Sequence, residues 1–336
     1  MRVLRRTLGT LLALAAAPAL MTACTAAHGD DARPGDDPPV ALAPFEQLLP
    51  APLSARAEGP DYSFGAATGI RVGHGADAEV RRVGELLAEQ LRGTGGLPLP
   101  VVDGAQGDGC RLRIDGAAQG VGDEGYRLES GPTGVTLTAR TPAGLFHAGQ
   151  TLRQLVPVAG PGTVPGGTVT DRPRFAYRGA MVDIARHHFS VEQVKRYVDQ
   201  LVQYKVNTLH LHLTDDQGWR IEIKRHPRLT EVGGWRPRSR WGHRASPLWN
   251  ETPHGGYYTQ DDIREIVAYA AERHVRVVPE IDLPGHSQAA IAAYPELGNT
   301  DVVDTTALGV WDDWGITENV LAPTEAVLRF YEGVFE

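Results

Sequence analysis

Cysteine and lysine are scarce in this 336-residue chain, and a long apolar run is missing altogether. Its two cysteines, Cys24 and Cys110, allow one disulfide at most, which excludes the multiply stapled scaffolds of small secreted domains. Lysine occurs only at Lys195, Lys205 and Lys224, and the other basic residues are arginine. Beside abundant alanine and glycine, that bias reads as genomic base composition rather than a phosphate-binding surface. Thirty-three basic residues against 41 acidic ones leave a net charge of −8, so charge excludes a nucleic-acid binder. The apolar stretch from Leu8 to Leu20 is too short to span a bilayer comfortably, and no other segment is longer. What is present is a 42% hydrophobic content, enough for a core in one large or two smaller domains and incompatible with disorder along the whole length.

Arg2, Arg5 and Arg6, the apolar run and the small residues after it form an export signal over residues 1–23. Leu20-Met21-Thr22-Ala23-Cys24 is similar to a bacterial lipoprotein cleavage site, in which Cys24 becomes the acylated first residue. The expected location is therefore the cell envelope or the exterior, with membrane contact only through the lipid on Cys24. Residues 24–42, rich in Ala, Asp, Pro and Gly without apolar periodicity, read as a flexible tether. Cys110, between Gly109 and Arg111 at the start of a strand, reads as a small buried core residue.

Residues 43–156 mix short strands with two helices, a small α+β domain. Val80, Val83, Leu87 and Leu91 recur at helical spacing, with Gly93 expected to stop the helix. Strands are expected at 97–102, 111–114, 126–129 and 135–139, the last two joined by the turn Gly131-Pro132-Thr133-Gly134, and a second helix from about Ala143 to Leu155. Residues 157–170, with their Pro and Gly run, read as a linker. From 171 to 336 strand and helix alternate, which predicts parallel β/α architecture. Strands are expected at 178–185, 206–213 and 275–283. Ser190 and Gln193 form a capping box ahead of a helix with Val191, Val194, Val198 and Leu201 inward. Thr259 opens a helix facing inward through Ile263, Ile266, Val267 and Ala270, and Thr324 opens another through Val327, Leu328, Tyr331 and Val334.

Polar residues gather after each of these strands: Arg186-His187-His188, then Asp215-Asp216-Gln217-Gly218-Trp219, then Asp282 with Pro284-Gly285-His286. Singly, Arg186 reads as a surface cation, Asp215 or Asp216 as a turn former and His286 as a satisfied loop histidine. Three such groups at three equivalent strand ends read instead as the active face of a β/α barrel.

At these residues the chain resembles family 20 glycoside hydrolases, the β-N-acetylhexosaminidases. The resemblance is carried by Arg178-Gly179, Asp183-Ile184-Ala185-Arg186-His187, the run His210-Leu211-His212-Leu213-Thr214-Asp215-Asp216-Gln217-Gly218-Trp219-Arg220, and Pro279-Glu280-Ile281-Asp282-Leu283-Pro284-Gly285-His286. Glu124-Gly125-Tyr126-Arg127-Leu128 and the helix holding Ala143-Gly144-Leu145-Phe146 are similar to that family's noncatalytic N-terminal domain. The resemblance implies an α/β fold: a partial (β/α)8 TIM barrel, its first three strands and their helices, preceded by a small α+β domain. It implies an exo-acting β-N-acetylhexosaminidase that removes terminal N-acetylglucosamine or N-acetylgalactosamine from glycans, without cofactor or metal. The mechanism is substrate-assisted, the sugar's acetamido oxygen serving as nucleophile. By position, Arg186 binds hydroxyls of the terminal sugar, and Asp215 with His286 forms the supporting pair that tunes the catalytic acid.

The family's strand-four motif, His-x-Gly-Gly-Asp-Glu, which supplies the acetamido-orienting Asp and the acid Glu, has no counterpart in these residues. Gly122-Asp123-Glu124 reads as a turn in the first domain. Residues 171–336 also fall short of the roughly 200 that a complete barrel needs, so the expectation is a chain truncated within its catalytic barrel, inactive and prone to aggregate. Between Glu231 and Tyr257 a long loop carries Trp235, Trp241 and Trp249, placed either to stack further sugars or to anchor the loop. Two other functions stay open: a carbohydrate-binding remnant without catalysis, and a metal-dependent amidohydrolase using His210 and His212. Against the latter, His210 is expected low in the barrel, away from the site.

Overall fold

The computed structural model describes residues 45–336, apart from 96, 105, 119 and 158–161. The expected signal peptide, Cys24 and the tether lie outside the described residues. Among the described residues no helix is long and apolar enough to cross a membrane.

The first half is built on a seven-stranded sheet. Its strands are β1 (Ser54–Ala57), β2 (Gly69–Val72), β3 (Val101–Asp103), β4 (Gly109–Ile114), β5 (Tyr126–Gly131), β6 (Gly134–Ala139) and β7 (Gly167–Asp171), in the spatial order β1-β7-β5-β6-β4-β2-β3. Antiparallel pairing from β1 to β6 gives way to parallel pairing from β6 to β3. Alternation explains the sheet: Tyr126 and Leu128 on β5, and Val135, Leu137 and Ala139 on β6, are buried, whereas their neighbours Arg127 and Glu129 face out. Helices α1 (Ala78–Gly95) and α2 (Pro142–Leu155) pack on each other and on the sheet. Val80, Val83, Leu87 and Leu91 are buried as the spacing requires, but α1 continues past Gly93, since one exposed glycine lowers helix propensity without ending a helix that its apolar face holds down. Cys110 is fully buried, which pushes its thiol up to about 12.

The expected linker over residues 157–170 is a correction. Thr163–Val164 pairs with Tyr62–Ser63, and β7 lies between β1 and β5 inside the large sheet. Thr168-Val169-Thr170 is a period-two strand signal, with Gly167, Val169 and Asp171 buried and the two threonines half-buried.

The second half holds three parallel strands, β8 (Gly179–Asp183), β9 (Thr208–His212) and β10 (Arg276–Glu280), in that order, with helices α3 (Val191–Val202) and α4 (Gln260–Ala271) in the crossovers. Each strand is shorter than its apolar run suggested. The Ser190–Gln193 capping box is present, and Thr259 forms a second one with Asp262. The inward stripe of α3 runs through Val194, Val198 and Val202, leaving Leu201 half-buried, and on α4 Val267 faces solvent while Ile266 and Ala270 are buried. Beyond β10 follow α5 (Gln288–Ala293) and α6 (Glu325–Phe335), capped by Thr324; Leu328, expected inside, is exposed. In each case the buried arc is narrower than the apolar one, because a helix hides only the side that faces its neighbours.

Polar residues join the two halves. The Arg178 guanidinium grips the Glu124 carboxylate with two bonds of 2.8 and 3.0 Å, and Asn207 adds a third donor to Glu124 at 3.1 Å. Lys205, buried and in the left-handed region at φ 61°, donates to Asp171 at 3.0 Å and to the Tyr126 hydroxyl at 2.9 Å. Gly122-Asp123-Glu124 is thus a turn, as read, but Glu124 also serves as an anchor.

Candidate active site

Register places the chemistry. Asp183, His212 and Glu280 are direct partners across β8, β9 and β10, in the last row before the strands end. Side chains alternate across a sheet, so this row shares a face with Met181, His210 and Val278, opposite the core residues Leu209 and Leu211.

Asp215, three residues beyond His212, is the hub. Its carboxylate has no solvent exposure and is met at 2.6 Å by His212 Nε2, at 2.7 Å by Arg186 Nη2, at 3.0 Å by His286 Nδ1 and at 2.7 Å by the backbone N–H of Asp216. Burial opposes its charge, yet these donors together hold the carboxyl below the usual carboxylate range. Burial likewise opposes a charged His212, but its bonds to Asp215 and, at 3.1 Å, to Glu280 raise the imidazole to about 9. Arg186 is fixed from the other side by Asp183, which accepts from Nη1 at 2.6 Å and from the backbone N–H at 3.0 Å. His286 sits at φ 51°, a conformation that costs a residue with a side chain about 1 kcal/mol and that the Asp215 contact helps to hold.

All three expected site residues in the second half, Arg186, Asp215 and His286, therefore meet in one hydrogen-bonded cluster. Asp183, His212 and Glu280 belong to it as well and were missed; strand-end register was the signal that points to them. His210 is not isolated, as its depth suggested, because its Nε2 lies 2.5 Å from the second oxygen of Glu280. Donor atoms of His212, Glu280 and Asp282, and of Asp215, Asp282 and His286, lie within 4.8 Å of one another. His212 spends both ring nitrogens on carboxylates, Nε2 on Asp215 and Nδ1 on Glu280.

The loops around the cluster are pinned by buried polar groups. Asp216 accepts from the backbone N–H of Gln288 at 3.0 Å and of Thr317 at 3.2 Å, tying the start of α5 and the 309–317 segment to the end of β9; burial raises its pKa. Arg220 is fully buried and spreads its donors over the carbonyls of Ala185, Gly234 and Gly256. Gly218 makes room for it: a Cβ there would lie 2.2 Å from the Arg220 guanidinium. In the 231–257 loop, Trp249 lies under the guanidiniums of Arg238 and Arg240, at 3.9 and 4.2 Å from its ring centre, and those arginines pair with Asp312 and Asp313. Trp249 is an anchor, while Trp235 and Trp241 are exposed. The tryptophan that reaches the site is Trp314, which the sequence reading did not single out. It walls a cavity of about 370 Å³ together with Asp183, Arg186, Gln217, Arg236 and Arg240, a volume within the range of small-ligand sites.

The chain is similar to known proteins in sequence and in fold. The profile of the glycosyl hydrolase family 20 catalytic domain matches residues 175–336, and that of the family's domain 2 matches residues 46–172. A β-hexosaminidase of Porphyromonas gingivalis is 36% identical over 299 residues, covering 86% of this chain and 36% of that protein. A β-N-acetylhexosaminidase of Cellulomonas fimi is 40% identical over 259 residues, covering 76% and 49%. Among solved structures, the family 20 β-N-acetylhexosaminidase of Streptomyces coelicolor superposes with a TM-score of 0.77 at 44% identity, and the Streptomyces plicatus N-acetyl-β-hexosaminidase bound to Thio-NAglucal with 0.77 at 46%; each comparison covers 88% of this chain and 57% of the other. The chain thus spans between about a third and a half of the length of these two curated relatives. Two profiles of one family, together matching most of the chain, and these superpositions agree: the chain belongs to glycosyl hydrolase family 20.

Proposed function

We propose that these residues form the sugar-binding side of an exo-acting β-N-acetylhexosaminidase, and that β8, β9 and β10 are the first three strands of its (β/α)8 barrel. The observation that carries this reading is the Arg186–Asp215–His286 cluster at the carboxyl ends of three consecutive parallel strands. Arg186, held from behind by Asp183 and Asp215, presents its outer donors to vicinal hydroxyls of the terminal sugar. Asp215 stays ionised among its donors and, with His286, supplies the negative partner that keeps a neighbouring carboxylic acid protonated. In the family's substrate-assisted route the acetamido oxygen attacks the anomeric carbon as the acid protonates the leaving oxygen. The 336 residues include neither that acid nor the Asp that orients the acetamido group. This polypeptide alone should therefore bind N-acetylhexosamine without releasing an aglycone.

Calorimetry with N-acetylglucosamine and a chromogenic N-acetylglucosaminide assay test this on the purified chain. Sugar binding that Arg186→Ala weakens at least about tenfold, with no turnover, is expected, since Arg186 makes charged hydrogen bonds. Turnover comparable to a full-length relative would show that the acid has been misplaced. We further propose export with Cys24 acylated. Mass spectrometry of the mature N-terminus checks it, and a chain retaining Met1 in the cytoplasm defeats it.

A further inference from the structure

The three guanidiniums that line the cavity differ in how their charge is met. Arg186 has two carboxylate partners and Arg240 is paired with Asp313 at 2.6 Å. Among the described residues Arg236 has none: its Nε donates to the Ser239 hydroxyl at 2.9 Å, its Nη1 to the Gln217 carbonyl at 3.1 Å, and Nη2 carries no hydrogen bond to them. The residue is only 4% exposed. Asp312, one acid whose field reaches it, is itself held by Arg238 at 2.8 Å, and Asp183, the other, is held by Arg186. Burial lowers the Arg236 guanidinium to about 10, so it remains charged at neutral pH. Gln217, whose backbone carbonyl accepts from Arg236, has its side-chain oxygen buried without a partner among the described residues, an acceptor that suits a hydroxyl donor. A largely buried guanidinium whose direct contacts are neutral oxygens is stabilised by an anion that completes its site. Trp314, 54% exposed on the same wall, offers an aromatic face to a sugar ring.

We propose that the Arg236 corner of this cavity takes an oxyanion carried by the glycan, a carboxylate or a sulfate ester, so that the site prefers anionic N-acetylhexosamines to neutral ones. The inference rests on the reading of Arg186 as the sugar-binding arginine, and Arg236 would act as a second, charge-reading contact. Such a contact is a charge-assisted hydrogen bond.

The test is calorimetry on the full chain with N-acetylglucosamine, its 6-sulfate and its 3-O-lactyl ether, which separates the sulfate and carboxylate sources. At least one anionic sugar should bind about tenfold more tightly than the neutral one. In Arg236→Gln that ratio should fall to within about twofold, while Arg236→Lys, which keeps the charge, should retain most of it. If Arg236→Gln does not fold, the wild-type ratio between about 0.05 and 0.5 M salt decides: it should shrink as screening rises. A ratio near one in the wild type, a preference that survives Arg236→Gln, or one indifferent to salt overturns the proposal while leaving neutral-sugar binding intact. Failure of both neutral and anionic sugars to bind overturns the reading of Arg186 as well.

Discussion

Discharging His212 should loosen the cluster, and the structure sets the size of the effect. The ring is buried between two carboxylates, with Nε2 at 2.6 Å from Asp215 and Nδ1 at 3.1 Å from Glu280, which raises its pKa from 6.5 to about 9. A folded-state pKa above the unfolded one adds stability that is fully present below the unfolded value and disappears as pH rises through the folded one. The window is therefore between about pH 6.5 and 9, and at 1.36 kcal/mol per unit the contribution is about 3 kcal/mol as an upper bound. The depressed Asp215 is the other side of the same contact and is not counted again. Urea unfolding of the wild type and of His212→Gln at pH 6 and pH 10 isolates the term from other groups that titrate in this range. The stability difference between the two proteins should be large at pH 6 and should shrink by about 3 kcal/mol by pH 10. A difference that does not change with pH, or a His212 ring that titrates near 6.5 by NMR, would refute the assignment of an imidazolium between Asp215 and Glu280.

The junction between the two halves yields a second expectation. Asp171→Ala leaves Lys205 buried without its carboxylate, so denaturant unfolding should show a loss of about 3 kcal/mol, and adding Lys205→Met should recover part of it. The helix faces yield a third. Val267→Glu on the exposed side of α4 should change stability by less than about 0.5 kcal/mol, whereas Leu211→Ala, buried beneath the same helices, should cost about 2 to 5 kcal/mol in the same measurement.

Much of the site was legible because its residues lie in contiguous motifs at strand ends. Arg186, Asp215 and His286 each follow an apolar run, and the contact among them follows once β8, β9 and β10 are parallel neighbours. The partners were not legible for a physical reason: Asp183, His212 and Glu280 stand inside the strands, where a polar residue reads equally well as an outward-facing one until the register is known. Arg236 and Trp314 come from loops, whose positions are set by bonds such as Gln217 to the Gly315 carbonyl that no periodicity announces. Helix starts were legible to the residue at Ser190, Thr259 and Thr324, because a cap is a local interaction. Strand β7 was hidden among prolines and glycines, since its stabilisation is entirely nonlocal, from pairing with β1 and β5.

The anchor between the halves and the site sit at opposite ends of the same strands. Arg178, Lys205 and Asn207 precede β8 and β9, while Asp183 and His212 end them. Five residue steps separate Arg178 from Asp183 and Asn207 from His212, a rise of roughly 16 Å. Neither Glu124 nor Asp171 therefore reaches Arg186, and through these strands the first half acts on the cluster by holding them rigid. Arg220 has the complementary role at the carboxyl end, where it fastens the loop after β8 to the loops that carry Gly234 and Gly256. Rigidity of the strands and placement of the loops are thus separate tasks held by separate buried cations. Asp171→Ala should consequently lower stability while leaving the affinity of the folded protein for N-acetylglucosamine unchanged, whereas Arg220→Leu should disturb both. Calorimetry below the unfolding range distinguishes the two, and a loss of sugar affinity in folded Asp171→Ala would show that the junction reaches the site after all.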